Sequence, residues 1–242
     1  MLRFAIVFAA LAASLSGAAA IVGARNSDAS GQQHTVLVTS SGQDCSGTLI
    51  ARDLVLTAGH CVAGGGDFSI NAGGVSIPVA RIVLHPAFRT DTYQTRRPSP
   101  DMALLKLASP APRPLRPARL SAEKAFPPRG TSFIIAGFGE GQEGDRRIGT
   151  LRAVRLVSSG TTGGIMLRLT PVPDTPPAGS CTGDSGGSAY RNENGTLILH
   201  GVIAWAGGKN GRNCGVVTGI VMVSLQLDWI RATAKRLGSS ID

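Results

Sequence analysis

Aromatic residues are scarce in this sequence, 5% of 242 positions, and charged residues reach only 16%. So thin an aromatic complement leaves little with which to stack single-stranded nucleic acid. The low charge, set against 43% hydrophobic residues, excludes a disordered, self-repelling chain. The net charge is +9, yet no run of five like charges occurs. Scattered basic residues give weak attraction to polyanions rather than specific nucleic-acid binding. No apolar stretch reaches the roughly 20 residues that a membrane-spanning helix needs. The four cysteines, Cys45, Cys61, Cys181 and Cys214, are never spaced C-x-x-C, which removes zinc knuckles and dithiol redox motifs.

What is present begins with an export pattern. Arg3 precedes an apolar run from Phe4 to Leu15, and Ser16-Gly17-Ala18-Ala19-Ala20 follows. A positive start, a short greasy middle and a small-residue end predict a secretory signal peptide over residues 1–20. The expected destination is extracellular or periplasmic. An even cysteine count in an exported chain predicts two disulfides, with three pairings open.

From Ile21 onward, short β-type runs recur, including Val36 to Val38, Leu54 to Leu56, Ala80 to Leu84 and Met102 to Leu107. Others lie at Ser132 to Ala136, Leu151 to Val157, Ile165 to Leu169, Leu197 to Ala204 and Val216 to Val223. Glycine, proline, asparagine and aspartate clusters separate them, the pattern of β-sandwiches or barrels. Proline lacks the amide donor a central strand needs, so the proline-rich stretch from Pro110 to Arg129 reads as a linker between two β units. Only the C-terminus looks helical, with Leu227, Ile230, Ala234 and Leu237 at helical spacing and Gly238 as the stop.

Three segments carry candidate chemistry. Leu54 to Cys61 runs a strand into a small-residue turn presenting His60. Pro100 to Leu107 places Asp101 at the mouth of an apolar strand. Cys181 to Gly187 holds Ser185 in a glycine-rich bend. A hydroxyl is a poor nucleophile unless a base stands within hydrogen-bond reach. Imidazole can take and return that proton, and a carboxylate on its far nitrogen fixes the tautomer. Glycines beside the serine let backbone amides converge on a developing oxyanion. Asp91 is the rival carboxylate, but no apolar strand backs it. His34, His85 and His200 lack such contexts and read as structural.

The order His60, Asp101, Ser185, within Thr57-Ala58-Gly59-His60-Cys61 and Gly183-Asp184-Ser185-Gly186-Gly187, resembles the chymotrypsin/trypsin-like serine proteases. Ile21-Val22-Gly23, Ser46 to Ile50, Gly201 to Trp205 and Asp228-Trp229-Ile230 extend the resemblance over nearly the whole mature chain. It implies an all-β fold of two antiparallel six-stranded Greek-key barrels with a C-terminal α-helix. The first barrel would span residues 21–115 and carry His60 and Asp101; the second, 116–242, would carry Ser185. The implied activity is secreted serine endopeptidase, with Ser185 as nucleophile, His60 as general base and then acid, and Asp101 as its orienter. The amides of Gly183 and Ser185 would form the oxyanion hole.

The resemblance further implies that a new terminus at Ile21 turns inward to pair with Asp184. Ala18-Ala19-Ala20 directly precedes Ile21, so signal removal itself is expected to create that terminus without a separate propeptide. Cys45 would pair with Cys61, and Cys181 with Cys214; so few bridges point to a bacterial member. The pocket for the side chain before the scissile bond would be formed by Gly179, Ser180, Ala204, Trp205 and Ala206. Gly179 stands where Arg- and Lys-specific relatives hold an aspartate, so a small or medium apolar side chain is expected instead. Thr218 would narrow the far wall. Ala204 replaces a serine that usually donates to the triad aspartate, which predicts reduced turnover. Protein or peptide substrates and proteinaceous inhibitors are the expected partners of a monomeric chain. No cofactor or metal is expected, and no paired carboxylates mark a calcium site between Gly64 and Val75. The competing reading is a basic, weakly or non-catalytic binding protein on the same scaffold.

Overall fold

The computed structural model describes residues 21–23, 31–95, 97–144 and 148–241. The predicted signal peptide lies outside them. Six strands build the first barrel: β1 (Thr35–Thr39), β2 (Asp44–Ala51), β3 (Leu54–Thr57), β4 (Ser69–Ala72), β5 (Val75–Leu84) and β6 (Ala103–Leu107). They close in the order β1-β2-β3-β6-β5-β4, with every pairing antiparallel. Leucine, valine and isoleucine at inward positions fill the interior; Leu49, Leu54, Leu56, Ile70, Leu104 and Leu105 are fully buried.

After β7 (Arg119–Leu120), the second barrel comprises β8 (Ser132–Gly137), β9 (Arg152–Thr162), β10 (Met166–Thr170), β11 (Ser188–Glu193), β12 (Thr196–Gly207) and β13 (Val217–Met222). Its ring runs β11-β8-β9-β10-β13-β12 and closes through β11–β12, while β7 attaches to β12 in parallel. The two predicted six-stranded antiparallel barrels are therefore present, and the short parallel strand is an addition made by the proline-rich connection. That connection is pinned to the first barrel on its way, through the Arg116 amide to the Gln33 carbonyl and the Ala118 amide to the Leu49 carbonyl.

The barrels meet across buried hydroxyls. Ser188 Oγ lies 2.6 Å from Thr48 Oγ1 and 3.2 Å from Thr35 Oγ1, which is also 3.3 Å from the Tyr190 hydroxyl. Burial pushes the Tyr190 phenol up to about 12. Polar groups so enclosed cost stability unless they find partners, and each here finds one in the other barrel. Helix α1 (Thr92–Thr95) is a single turn, and α2 (Leu227–Arg236) is the last helix. The predicted apolar stripe faces inward, with Leu227, Ile230 and Ala234 buried. Gly238 follows at φ +68°, the left-handed geometry that stops a helix. The tail then anchors to the first barrel: Ser239 Oγ donates to Asp53 at 2.7 Å and Lys106 Nζ donates to Ser239 Oγ at 2.9 Å.

Candidate active site

His60 leaves β3 on a single turn of 3-10 helix, Gly59–Cys61. Asp101 precedes β6, the strand paired directly with β3. The pairing brings imidazole and carboxylate together at two points. His60 Nδ1 lies 2.6 Å from Asp101 Oδ2, and the His60 amide donates to Oδ1 at 2.9 Å. A carboxylate bound to both ring and backbone fixes the ring's rotation and holds the proton on Nδ1, leaving Nε2 with a lone pair. The Asp101 side chain is 11% exposed and that of His60 34%, so the carboxylate is enclosed while the imidazole faces the cleft. Asp91, the rival, gives both oxygens to Arg89, at 2.9 and 2.7 Å, on the exposed surface.

Ser185 lies in the bend between Cys181 and β11. The bend is tied down by the Ser46 amide donating to the Ser185 carbonyl at 2.8 Å and the Gly186 amide to the Ile203 carbonyl at 2.7 Å. Gly186 has φ +81°, and a Cβ there would fall 2.1 Å from Thr57 Oγ1 and 2.2 Å from the Ser46 carbonyl oxygen. Only glycine fits. Asp184, Gly186 and Gly187 spend their amides on carbonyls of Cys181, Ile203 and Asp184. Among the described residues, by contrast, no acceptor takes the amides of Gly183 or Ser185.

Ser185, Gly183 and His60 line one cleft of ≈ 640 Å³. Cys61 Sγ lies 3.7 Å from the Ser185 carbonyl oxygen and 3.9 Å from His60 Nε2, which measures how closely the two segments approach. Both disulfides form in the expected pairs, Cys45–Cys61 and Cys181–Cys214. Cys45, His60 and Cys61 are close enough to hold a metal, but the disulfide leaves no thiolate to bind one.

Asp184 is fully buried and accepts the amides of Gly139 at 2.9 Å and Cys181 at 2.8 Å. Burial pushes its carboxyl up to about 7, against the pull of those two amides and the Arg152 charge. Ile21 is also fully buried, packed among apolar neighbours that include Phe133, Ile135 and Ala178. Its φ of +52° is an uncommon conformation for a β-branched residue. Val22 bridges antiparallel to Gly179, whose amide donates to the Val22 carbonyl at 3.1 Å.

Of the expected pocket residues, Ser180, Ala204, Trp205 and Ala206 line the cleft, whereas Gly179 does not line it and pairs with Val22. Ser180 and Thr218 are fully buried with hydroxyls 2.9 Å apart, and the Ser180 amide donates to Thr218 Oγ1 at 3.0 Å. At the rim, Asn213 donates its amide and its Nδ2 to the Glu143 carboxylate, at 2.8 and 2.9 Å. Sequence reasoning passed over this clamp, because nothing local marks two residues so far apart as partners. It also passed over a second, mainly apolar cavity of ≈ 320 Å³ beside His60, whose lining includes Phe88, Pro98, Met166 and Trp205.

The trypsin family model matches residues 21–230, which spans the barrels, the cleft and the first turn of α2. The chain belongs to the trypsin family. Its relatives include serine protease SP24D of Anopheles gambiae, 26% identical over 91% of this chain and 83% of that protein. Serine protease 1 of Canis lupus familiaris is 28% identical over 78% of this chain and 80% of its own. Putative trypsin-6 of Homo sapiens is 28% identical over 96% and 97%. This trypsin-family chain is a serine endopeptidase, and its two disulfides fit an extracellular protein. No helix among the described residues is long and apolar enough to cross a membrane.

Proposed function

We propose that peptide hydrolysis proceeds through Ser185, His60 and Asp101. The Ser185 hydroxyl attacks the scissile carbonyl carbon as Nε2 of His60 takes its proton, and the carbonyl oxygen becomes an oxyanion received by the amides of Gly183 and Ser185. Collapse expels the amine, protonated by His60, and leaves an acyl-enzyme. Water then repeats the sequence and releases the acid. Asp101 keeps the Nδ1 proton in place and stabilises the imidazolium without taking a proton itself. The observation that carries this reading is the doubly anchored imidazole facing a cleft lined by Ser185 and the two amides without acceptors.

Cleavage before Ile21 activates the enzyme in this reading. Ile21 is already buried and Val22 already paired to Gly179, so the freed ammonium needs only to reach the enclosed Asp184 carboxylate. The pair would compensate a buried charge that is otherwise costly. An α-amino group ordinarily titrates near 7.7–8.0, and pairing raises that value. Activity should persist at mildly alkaline pH and decline as pH passes the raised value. Signal-peptide removal is the proposed route to this terminus and to export; N-terminal sequencing of exported protein showing Ala19 as the first residue would refute it.

The preferred side chain before the scissile bond is apolar and of small or medium size. Gly179 supplies no carboxylate, the Ser180 and Thr218 hydroxyls satisfy each other, and Glu143 is engaged by Asn213. A buried Arg or Lys would lack a partner there. Profiling on a mixed peptide library tests both claims, and dominant cleavage after Arg or Lys would overturn the pocket reading. A fluorophosphonate probe tests the chemistry: processed protein should label at Ser185 stoichiometrically and His60→Ala should not. A processed wild type that fails to label would instead identify the non-catalytic binder.

A further inference from the structure

On the second barrel, three metal-ligating side chains converge from segments far apart in sequence. His200 lies on β12, Glu193 ends β11, and Glu123 follows β7. One nitrogen of His200 and one carboxylate oxygen from each glutamate all lie within 4.8 Å of one another. Each donor is placed by a backbone device. In the β11–β12 ladder Ala189 pairs with Gly201 and Tyr190 with Leu199, so His200 is the extra residue of a β-bulge. Bulges re-aim side chains, and this one leaves the imidazole 1% exposed with Nε2 2.9 Å from Glu193 Oε1. Glu193 pairs with Thr196 across the tight turn Asn194-Gly195, both at positive φ. Glu123 is set by its own amide donating to Ser121 Oγ at 3.2 Å, just after the parallel pairing of Leu120 with Leu199.

We propose that His200, Glu193 and Glu123 form a binding site for a divalent transition-metal ion of the zinc type, with Arg191 as the cation it displaces. One imidazole nitrogen and two carboxylates make a donor set suited to zinc, which takes three protein ligands and leaves a position for water. Calcium is a poor match, because it prefers six to eight oxygens. The His200 ring is enclosed with Nε2 already 2.9 Å from Glu193 Oε1, so the nitrogen that would take the ion points at the carboxylates, and it binds as the neutral ring. Coordination through Nε2 moves the ring proton to Nδ1, with no net proton released. Zinc–ligand distances of about 2.0–2.2 Å require the three donors to close to about 3.3 Å, a modest adjustment for two exposed glutamates.

Arg191 is what holds the carboxylates together without an ion. Its Nη1 donates to Glu123 Oε2 at 2.7 Å and stands 4.0 Å from Glu193 Oε1. A metal and this guanidinium cannot both occupy the space between the glutamates. The bound ion would clip the connection between the barrels to the β11–β12 hairpin, several residues along β12 from Ala204 in the cleft. The inference does not depend on the catalytic reading.

The test uses the full chain carrying Ser185→Ala, which prevents self-digestion, titrated calorimetrically with Zn²⁺ and spectroscopically with Co²⁺. One ion should bind per chain, with Co²⁺ giving the visible bands of a low-coordinate nitrogen–oxygen site. Glu193→Gln and Glu123→Gln, both exposed and so compatible with folding, should each weaken binding by about 10-fold or more. Arg191→Gln should tighten it several-fold, an outcome that a merely structural salt bridge does not produce. Three results would overturn the proposal: no saturable uptake tighter than about 1 mM, binding unchanged in both glutamate variants (which would move the ion to another site such as His60 and Asp101), or weaker binding in Arg191→Gln.

Discussion

His60 follows β3 and Asp101 precedes β6, neighbouring strands of the first barrel, and the two are joined by two hydrogen bonds that need nothing from outside that barrel. Ser185 lies in a loop of the second barrel that depends on Asp184, a carboxylate fully enclosed, held by two amides and pushed up to about 7 by burial. The proposed base is thus assembled by local pairing, whereas the loop of the proposed nucleophile is built around a carboxyl whose charge its surroundings disfavour. A protease divided in this way can fold completely and still leave one half to be completed by a later event, here the proposed arrival of the Ile21 ammonium.

The largest effect should come from the self-sufficient half. Asp101→Asn keeps the contacts but lets the ring take the other tautomer, and should lower kcat by about 10⁴-fold with little change in melting temperature. A loss of less than 10-fold would remove Asp101 from the chemistry. On the contingent half, the sign of the Asp184 effect follows from its raised value. The carboxyl is neutral in the fold below about 7, while the unfolded chain ionises from about 3.8, so stability falls as pH rises between the two. In the uncleaved chain carrying Ser185→Ala, urea unfolding should show a loss on the order of 4 kcal/mol across that window. Cleavage before Ile21 should reduce the loss and Asp184→Asn should abolish it. An uncleaved chain whose stability is flat from pH 4 to 8 would break the comparison.

Gly186 marks the seam between the halves, since Thr57 and Ser46 of the first barrel occupy the space of its missing Cβ. Gly186→Ala should destabilise by about 3 kcal/mol and abolish probe labelling, because both the φ and the clash oppose it. Ala204 should give the smallest effect. It lies beside His60 and Asp101 in the apolar cavity and offers the carboxylate no hydroxyl. Ala204→Ser should raise kcat by about 2–5-fold by adding one donor to Asp101. A lower kcat would show that the base half was already complete without that donor.

Strands rich in branched apolar residues, such as β3, β6 and β13, were legible as short runs. The strands β2, β4 and β11 were not. β2 carries Ser46 and Thr48 fully buried, which no hydrophobic pattern announces. They are tolerated because the other barrel supplies partners: Ser46 Oγ donates to the Gly183 carbonyl and Thr48 meets Ser188. The histidine and serine segments were legible because their chemistry needs small residues at fixed neighbouring positions. The sequence suggests Thr218 as a pocket wall but holds no sign of its bond to Ser180, a residue 38 positions away. Glu143 and Asn213, or Glu123 and His200, share no local pattern, since only folding makes them neighbours.

By itself the sequence determined the exchange of hydrophobic runs for turns, the glycines where no Cβ fits, and the presence of a hydroxyl, an imidazole and a carboxylate in suitable settings. These are properties of residues and their immediate neighbours, which short-range sterics and periodicity record. Tertiary structure alone decided that Asp101 meets His60 at two points, how deeply Asp184 is enclosed, that Ser180 and Thr218 satisfy each other, and that Glu123, Glu193 and His200 meet. Those outcomes depend on burial and on distances between remote segments, and both come into being only when the barrels close and pack.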